Sequence, residues 1–217
     1  MRRLVVLLTA LWALSAAMVE KTLKSIPGYA PLFAKAFPEA KDAAITFDNM
    51  ARAIGAFERT LVTPGRFDRY LGGDEKALTD AEKKGLQAFI NFGCIGCHMG
   101  EGLGGGSYQK LGVVTPVPDL KDVGRFEVTK KDADKHFFRV PSLRNVAKTA
   151  PYLHDGSLKT LPEAVSFMAK HQLGRELKKD EVDAIVTFLG ALTGELPKVA
   201  VPKALAAGKD TPKPDPS

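Results

Sequence analysis

Apolar residues recur at helical spacing in several separate stretches of this chain. Phe47, Met50, Ile54, Phe57 and Leu61 follow one another at steps of three and four. That pattern predicts a helix over 46–62, stopped by Thr63-Pro64-Gly65. Thr79-Asp80-Ala81-Glu82 has the form of a capping box, in which the Thr and Glu side chains each satisfy one orphan backbone amide. The helix it opens carries Leu86, Phe89 and Ile90 on one face. Val182, Ile185, Val186, Leu189 and Leu192 predict another over 180–192. Shorter helices are expected within 19–41, around Pro27 and Pro38, and over 161–171. Leu71-Gly72-Gly73-Asp74 reads as a turn and a soft domain boundary. A glycine-rich loop follows over 100–112, then a polar stretch to His136 and a Pro-bounded segment over 140–151. The last stretch, 196–217, is rich in Pro, Lys and Ala and reads as a disordered tail. There are no internal repeats.

The first residues change the picture of where the chain resides. Met1-Arg2-Arg3 leads into an almost wholly apolar run ending in Ser15-Ala16-Ala17. This is the order of an export signal over 1–17, with an uncleaved anchor as the alternative. The expected compartment is the periplasm, with membrane association only if the segment is retained. The expected domains are the signal 1–17, a helical segment 18–75, a second domain 76–195 and the tail 196–217. The formal charge is +6. No Lys/Arg block with interleaved aromatics accompanies it, which excludes nucleic acid as a partner.

Both cysteines of the 217 residues lie in Cys94-Ile95-Gly96-Cys97-His98, a C-x-x-C-H run. Chance would produce it with odds of roughly 1 in 3,000 for this composition. Two thiols at that spacing can form thioethers with the vinyl groups of one covalent haem c, and the adjacent histidine supplies an axial nitrogen. A redox dithiol or half a zinc site are the alternatives, but no further zinc-ligand spacing follows. Gly100, Gly102 and Gly105 spell a dinucleotide fingerprint, yet they follow the haem motif and enter a loop, so no nucleotide is expected. A helix before C-x-x-C-H and another near the C-terminus are the pair that crosses in small cytochrome c domains. By that analogy the fold class is all-α, a cytochrome c-like haem domain with a helical lead-in and long loops.

The sixth iron ligand decides between electron transfer and chemistry at an open site. Met99 adjoins His98 and cannot reach the opposite face. Met1 and Met18 lie in or beside the signal, and Met50 reads as core on its apolar stripe. Met168, His136, His154 and His171 remain, and spacing alone does not choose among them.

Longer stretches carry a resemblance. They are Ile26-Pro27-Gly28-Tyr29, Phe47-Asp48-Asn49, Ala56-Phe57-Glu58-Arg59-Thr60-Leu61 and Arg66-Phe67-Asp68-Arg69-Tyr70-Leu71. After the haem motif come Gly104-Gly105-Gly106, Tyr108-Gln109-Lys110, Gly124-Arg125-Phe126 and Val140-Pro141-Ser142-Leu143-Arg144-Asn145-Val146. Thr149-Ala150-Pro151-Tyr152-Leu153-His154-Asp155-Gly156 and His171-Gln172-Leu173-Gly174 complete the set. Together they resemble the C-terminal half of bacterial di-haem cytochrome c peroxidases. The resemblance implies that His98 and Met168 are the axial pair of the high-potential, electron-accepting haem. It implies that the backbone carbonyls of Thr149 and Pro151 bind calcium, and it brings Arg139, Arg144 and His154 near the haem propionates. A related family that matures a quinone cofactor has Tyr where Met168 stands.

The family has two C-x-x-C-H motifs, and this chain has one. The expectation is therefore an electron-entry half whose N-terminal peroxidatic domain is absent, with its distal His and its assisting Gln and Glu. Two functions follow. One is electron delivery from a small cytochrome or cupredoxin for hydrogen peroxide reduction, with a second haem domain or in a homodimer. The other is a stand-alone monohaem electron carrier without peroxidase activity.

Overall fold

The computed structural model describes residues 16–200 and 202–212. The expected signal, apart from its last two residues, and the extreme C-terminus lie outside the described residues. The chain divides into two compact units, Met1–Val62 with Pro197–Ser217, and Thr63–Leu196.

In the first unit, α1 spans residues 16–25, α2 spans Tyr29–Ala36 and α3 spans Phe47–Glu58. Thr46 caps α3 by accepting from the Asn49 amide at 3.1 Å. Glu20 of α1 accepts from the Phe47 amide at 2.8 Å and so ties α1 to the start of α3. The core is small: Phe33, Phe37, Ala44 and Ile45 are buried, with Leu23, Tyr29, Ala40 and Met50 against them. Met50 is core, as its position on the stripe predicts. The rest of that stripe departs from expectation. Phe47, Ile54, Phe57 and Leu61 stay 42–50% exposed. None of these four belongs to the core of this unit among the described residues. The tail has no helix or strand in its described residues, yet it is not free of contacts. Ser25 Oγ donates to Thr211 Oγ1 at 2.9 Å, and Leu205 lies against Gly28.

The second unit begins at Thr63, thirteen residues earlier than the expected haem domain and before the Leu71–Asp74 turn. Its helices are α4 (Arg66–Leu71), α5 (Asp80–Asn91), α6 (Phe126–Thr129), α7 (Leu161–Leu173) and α8 (Lys179–Ala191). Phe67 brings α4 into this core through an edge-on contact with Phe188, ring centroids 5.5 Å apart. The glycine-rich loop holds an unexpected strand. β1 (Tyr108–Lys110) pairs antiparallel with β2 (Phe137–Arg139), Gln109 facing Phe138. Three residues each are too few to leave a period-two signal. The architecture is nonetheless helical, with this ribbon as its only sheet among the described residues.

The centre of the unit is the crossing of α5 and α8. A Cβ at Gly85 would overlap the carbonyl oxygen of Ala184 and come to 2.8 Å from Phe188 Cβ. Only glycine permits this approach. Phe89 meets Phe188 at 5.4 Å, and Ile185, Phe188, Leu189 and Leu192 are almost wholly buried. Ile90, expected on the buried face with Phe89, is 43% exposed. The crossing at Gly85 rotates α5 so that Gly85 and Phe89 share the seam.

The start of α5 is fixed as its capping box predicts. Thr79 N–H donates to Glu82 Oε2 at 2.8 Å and Glu82 N–H to Thr79 Oγ1 at 3.3 Å. Glu82 also receives Arg66 Nη1 at 2.8 Å, which joins α4 to α5. The Arg66 guanidinium, and secondarily the Thr79 donors, hold the Glu82 carboxyl at about 2 against an ordinary 4.5.

Two consequences are measurable. Gly85→Ala should cost the haem-loaded protein about 1–3 kcal/mol through overpacking of the seam, seen as a lower denaturation midpoint. Because the folded pKa of Glu82 lies below its unfolded one, its stabilisation is complete above pH 4.5 and drains away as pH falls toward about 2. Glu82→Gln should flatten the stability profile across that window. Parallel profiles for the two proteins in stepwise acid denaturation would refute it.

Candidate haem site

α5 delivers the chain to a single tight turn. Phe92 closes the helix and Gly93, at φ 95°, reverses the backbone. Cys94–Gly96 forms one 3-10 turn, and the amides of Cys97 and His98 both donate to the Cys94 carbonyl, at 3.3 and 3.1 Å. Both thiols and the imidazole therefore project from the same turn. Cys94, Cys97 and His98 line one cavity of about 440 Å³. Phe89, Ile185 and Leu189 line it from α5 and α8, and Met168 from α7. That size falls in the range of cofactor pockets, and the wall is mostly apolar.

The three motif side chains suit covalent haem. Neither cysteine is in a disulfide. Burial pushes the Cys94 thiol up to about 11, so it remains protonated in the unloaded chain. His98 Nδ1 lies 3.2 Å from the Leu103 carbonyl. Donation to that oxygen fixes the tautomer and leaves Nε2 as the free ligand nitrogen. Burial lowers the His98 pKa, and the Leu103 and Pro141 carbonyls act in the opposite direction. The neutral ring that a metal needs is thus the favoured form.

The loop behind His98 has little freedom. A Cβ at Gly104, φ 128°, would overlap the Pro141 carbonyl oxygen and sit 3.3 Å from His98 Nδ1. Leu103 is 4% exposed and itself adopts a positive φ. Sequence reasoning gave Leu103 and Gly104 no role in holding His98. The glycine run after the motif was the available signal.

Among the described residues, Met168 and His154 are the methionine and histidine side chains that share the cavity with His98. His136 and His171 do not line it. His136 Nδ1 meets the Asp122 carbonyl at 3.0 Å, and His171 Nδ1 meets that of Thr115 at 2.9 Å. Met99 and Met18 are exposed. His154 is engaged already: its Nε2 is 3.1 Å from Asp122 Oδ2 and its ring stacks on Phe138 at 4.7 Å. Met168 has no polar partner to leave.

Arg139 also lines the cavity, its Nε donating to the Gly105 carbonyl at 2.8 Å. Arg144 does not. Its Nη1 pairs with Asp68 Oδ2 at 2.8 Å and its Nε donates to the Glu101 carbonyl. It ties α4 to the haem loop instead of facing a propionate. Thr149 and Pro151 line the cavity. The described residues assemble no group of three or more His, Cys, Asp or Glu suited to a metal ion. Two carbonyls are only part of the six to eight oxygens calcium takes, so this donor set does not make a complete calcium site. Among the described residues, no Asp or Glu lines the cavity.

Comparison with known proteins divides the chain between residues 76 and 82. A family model described as "Di-haem cytochrome c peroxidase" matches residues 10–76, and one described as "Cytochrome c" matches residues 82–193. The chain is 49% identical to a cytochrome c551 peroxidase of Pseudomonas aeruginosa over 203 residues, covering 91% of this chain and 58% of that one. It is 44% identical to a cytochrome c551 peroxidase of Nitrosomonas europaea, covering 92% of this chain and 59% of that one. The crystal structure of a MauG-like protein associated with microbial copper homeostasis aligns with a TM-score of 0.67 at 28% identity, covering 83% of this chain and 62% of that one. The chain thus spans about three fifths of the length of these curated relatives. A cavity walled by the C-x-x-C-H turn, and these matches along nearly the whole sequence, place the chain in the di-haem cytochrome c peroxidase family, with a cytochrome c domain over residues 82–193.

Proposed function

We propose that this chain is an electron-entry cytochrome of the peroxidase family. It takes single electrons from a small cytochrome or cupredoxin and passes them to a second haem, where hydrogen peroxide is reduced. The observation that carries this reading is the joint presence of Cys94, Cys97, His98 and Met168 in the wall of one cavity. Covalent haem c bound there would supply a reversible one-electron couple. Cys94 and Cys97 would tether it, and His98 Nε2 and the Met168 thioether would be its protein ligands. Arg139 and His154, in the same wall, would neutralise its propionates. The apolar wall keeps water from the iron and favours the less charged, reduced state, as a thioether ligand does.

The same features argue against peroxide chemistry within this chain. Two protein ligands leave no open iron position. No Asp or Glu lines the cavity to move the protons that O–O cleavage requires. Peroxide reduction also takes two electrons, and one His/Met centre delivers one at a time. A second haem of a different kind, on another chain or domain, would meet all three needs, whereas a homodimer would supply only a second His/Met centre. The alternative is a free-standing electron carrier, which the saturated ligand pair equally favours. Export to the periplasm fits both, and no helix among the described residues is long and apolar enough to cross a membrane.

The ferric haem-loaded protein should be low-spin and six-coordinate, with the weak far-red band of methionine–iron ligation. Met168→Ala should abolish that band; its survival would assign the ligand elsewhere. Peroxide turnover by the isolated chain with a reduced cytochrome should fall at least about a hundredfold below that of a di-haem relative, the least a positioned acid–base group contributes. Turnover near the relative's own rate would overturn the division of labour.

A further inference from the structure

The run His171-Gln172-Leu173-Gly174 ends α7, and the haem chemistry above assigns it nothing. It is bound to the loop after β1 by a dense set of hydrogen bonds. Gln172 Oε1 accepts from the amides of Gly112 at 2.7 Å and Val113 at 3.2 Å. Gln172 Nε2 donates to the Lys110 carbonyl at 3.1 Å. The amides of Val114 and Thr115 both donate to the His171 carbonyl at 3.2 Å, and His171 Nδ1 reaches the Thr115 carbonyl. Gly174, at φ 65°, lets Val114 close over the helix end, where a Cβ would come to 2.8 Å from Val114 Cγ1.

The Gln172 side-chain bonds do not serve the helix terminus. The Lys170 and Ala169 carbonyls receive the amides of Gly174 and Arg175, and the His171 carbonyl receives those of Val114 and Thr115. Burial gives the Gly112 amide a need for this acceptor, but not the Val113 amide, since Val113 is exposed and its amide could be met by water. The Gln172 side chain is therefore spent on joining one helix turn to one loop. That turn begins at Met168. Residues four apart lie on one helix face, and Met168 and Gln172 both line the haem cavity.

We propose that Gln172 is a positioning residue that latches the C-terminal turn of α7 to residues 110–113 and thereby holds Met168 over the iron. The inference rests on Met168 being the axial ligand. A thioether on three rotatable bonds is a neutral and adaptable ligand, so its hold on a metal depends on where the backbone places it. His98 is fixed by its own carbonyl partner. Met168 has no such partner, and the latch supplies the missing constraint one turn away.

The test uses the haem-loaded full chain and two readouts of methionine release. One is the alkaline pH at which the ferric far-red band disappears. The other is the rate at which carbon monoxide binds the ferrous protein, which requires the thioether to leave. Gln172→Leu removes all three side-chain bonds. It should shift the pH midpoint down by about one unit and speed carbon monoxide binding about tenfold, the scale of an ordinary lost hydrogen bond or two. Gln172→Glu retains an acceptor for Gly112 and Val113 and should fall between Gln172→Leu and the parent. Wild-type values of both readouts in Gln172→Leu would overturn the latch. If that variant does not load haem, wild-type values in Gln172→Glu would do so. Failure of the ligand assignment shows separately, as a far-red band that survives Met168→Ala.

Discussion

Everything in the haem unit is positioned from the close approach of α5 and α8 at Gly85. With no Cβ at that point, the α5 backbone rests on the Ala184 carbonyl and Phe188 fills the seam. The approach fixes the axis of α5, and so the point at which Gly93 turns the chain into Cys94. It also fixes α8, whose Ile185 and Leu189 form part of the cavity wall. Arg66 and Glu82 extend the same frame to α4, and Arg144 and Asp68 extend it to the loop behind His98. A displacement at the crossing would therefore reach both the tether and the wall facing it.

His98 and Met168, in the wall of the same cavity, are held by different means. His98 sits within a rigid loop: the Leu103 carbonyl sets its tautomer, and Gly104 allows the Pro141 carbonyl to close in behind. Met168 stands on a helix whose capping box fixes one end and whose loop contacts fix the other. The imidazole needs orientation at a particular nitrogen, which a single strong acceptor gives. The thioether needs only placement, which helix and loop can give from a distance.

Much of this was legible in the sequence where the physics is local. The capping box at Thr79, the α8 periodicity and the C-x-x-C-H turn are set by neighbours within a few residues. Nonlocal matters were less accessible. The stripe of α3 has helical spacing, but spacing does not say whether a partner surface exists, and only Met50 of its five residues meets a core. The α4 boundary depends on Phe67 reaching Phe188, 121 residues on. Arg144 differs from Arg139 only in what lies opposite, Asp68 in one case and the cavity in the other. Spacing alone left Met168, His136, His154 and His171 as rivals. The fold removes two by burying or hydrogen-bonding them away from the cavity, and it leaves His154 tied to Asp122.

The make-up of the cavity wall bears on why such a chain would work with a second centre. A wall suited to a His/Met couple excludes carboxylates and water, because either would stabilise the oxidised, more charged state and provide competing ligands. Peroxide cleavage needs the reverse: an open iron, a nearby acid–base group and a path for protons. One cavity cannot meet both sets of demands, since each carboxylate added for proton transfer would lower the potential that draws electrons in. Separating the two sites removes the conflict. The cavity of this chain meets the first set of demands, with Cys94, Cys97, His98 and Met168 in its wall and, among the described residues, no Asp or Glu.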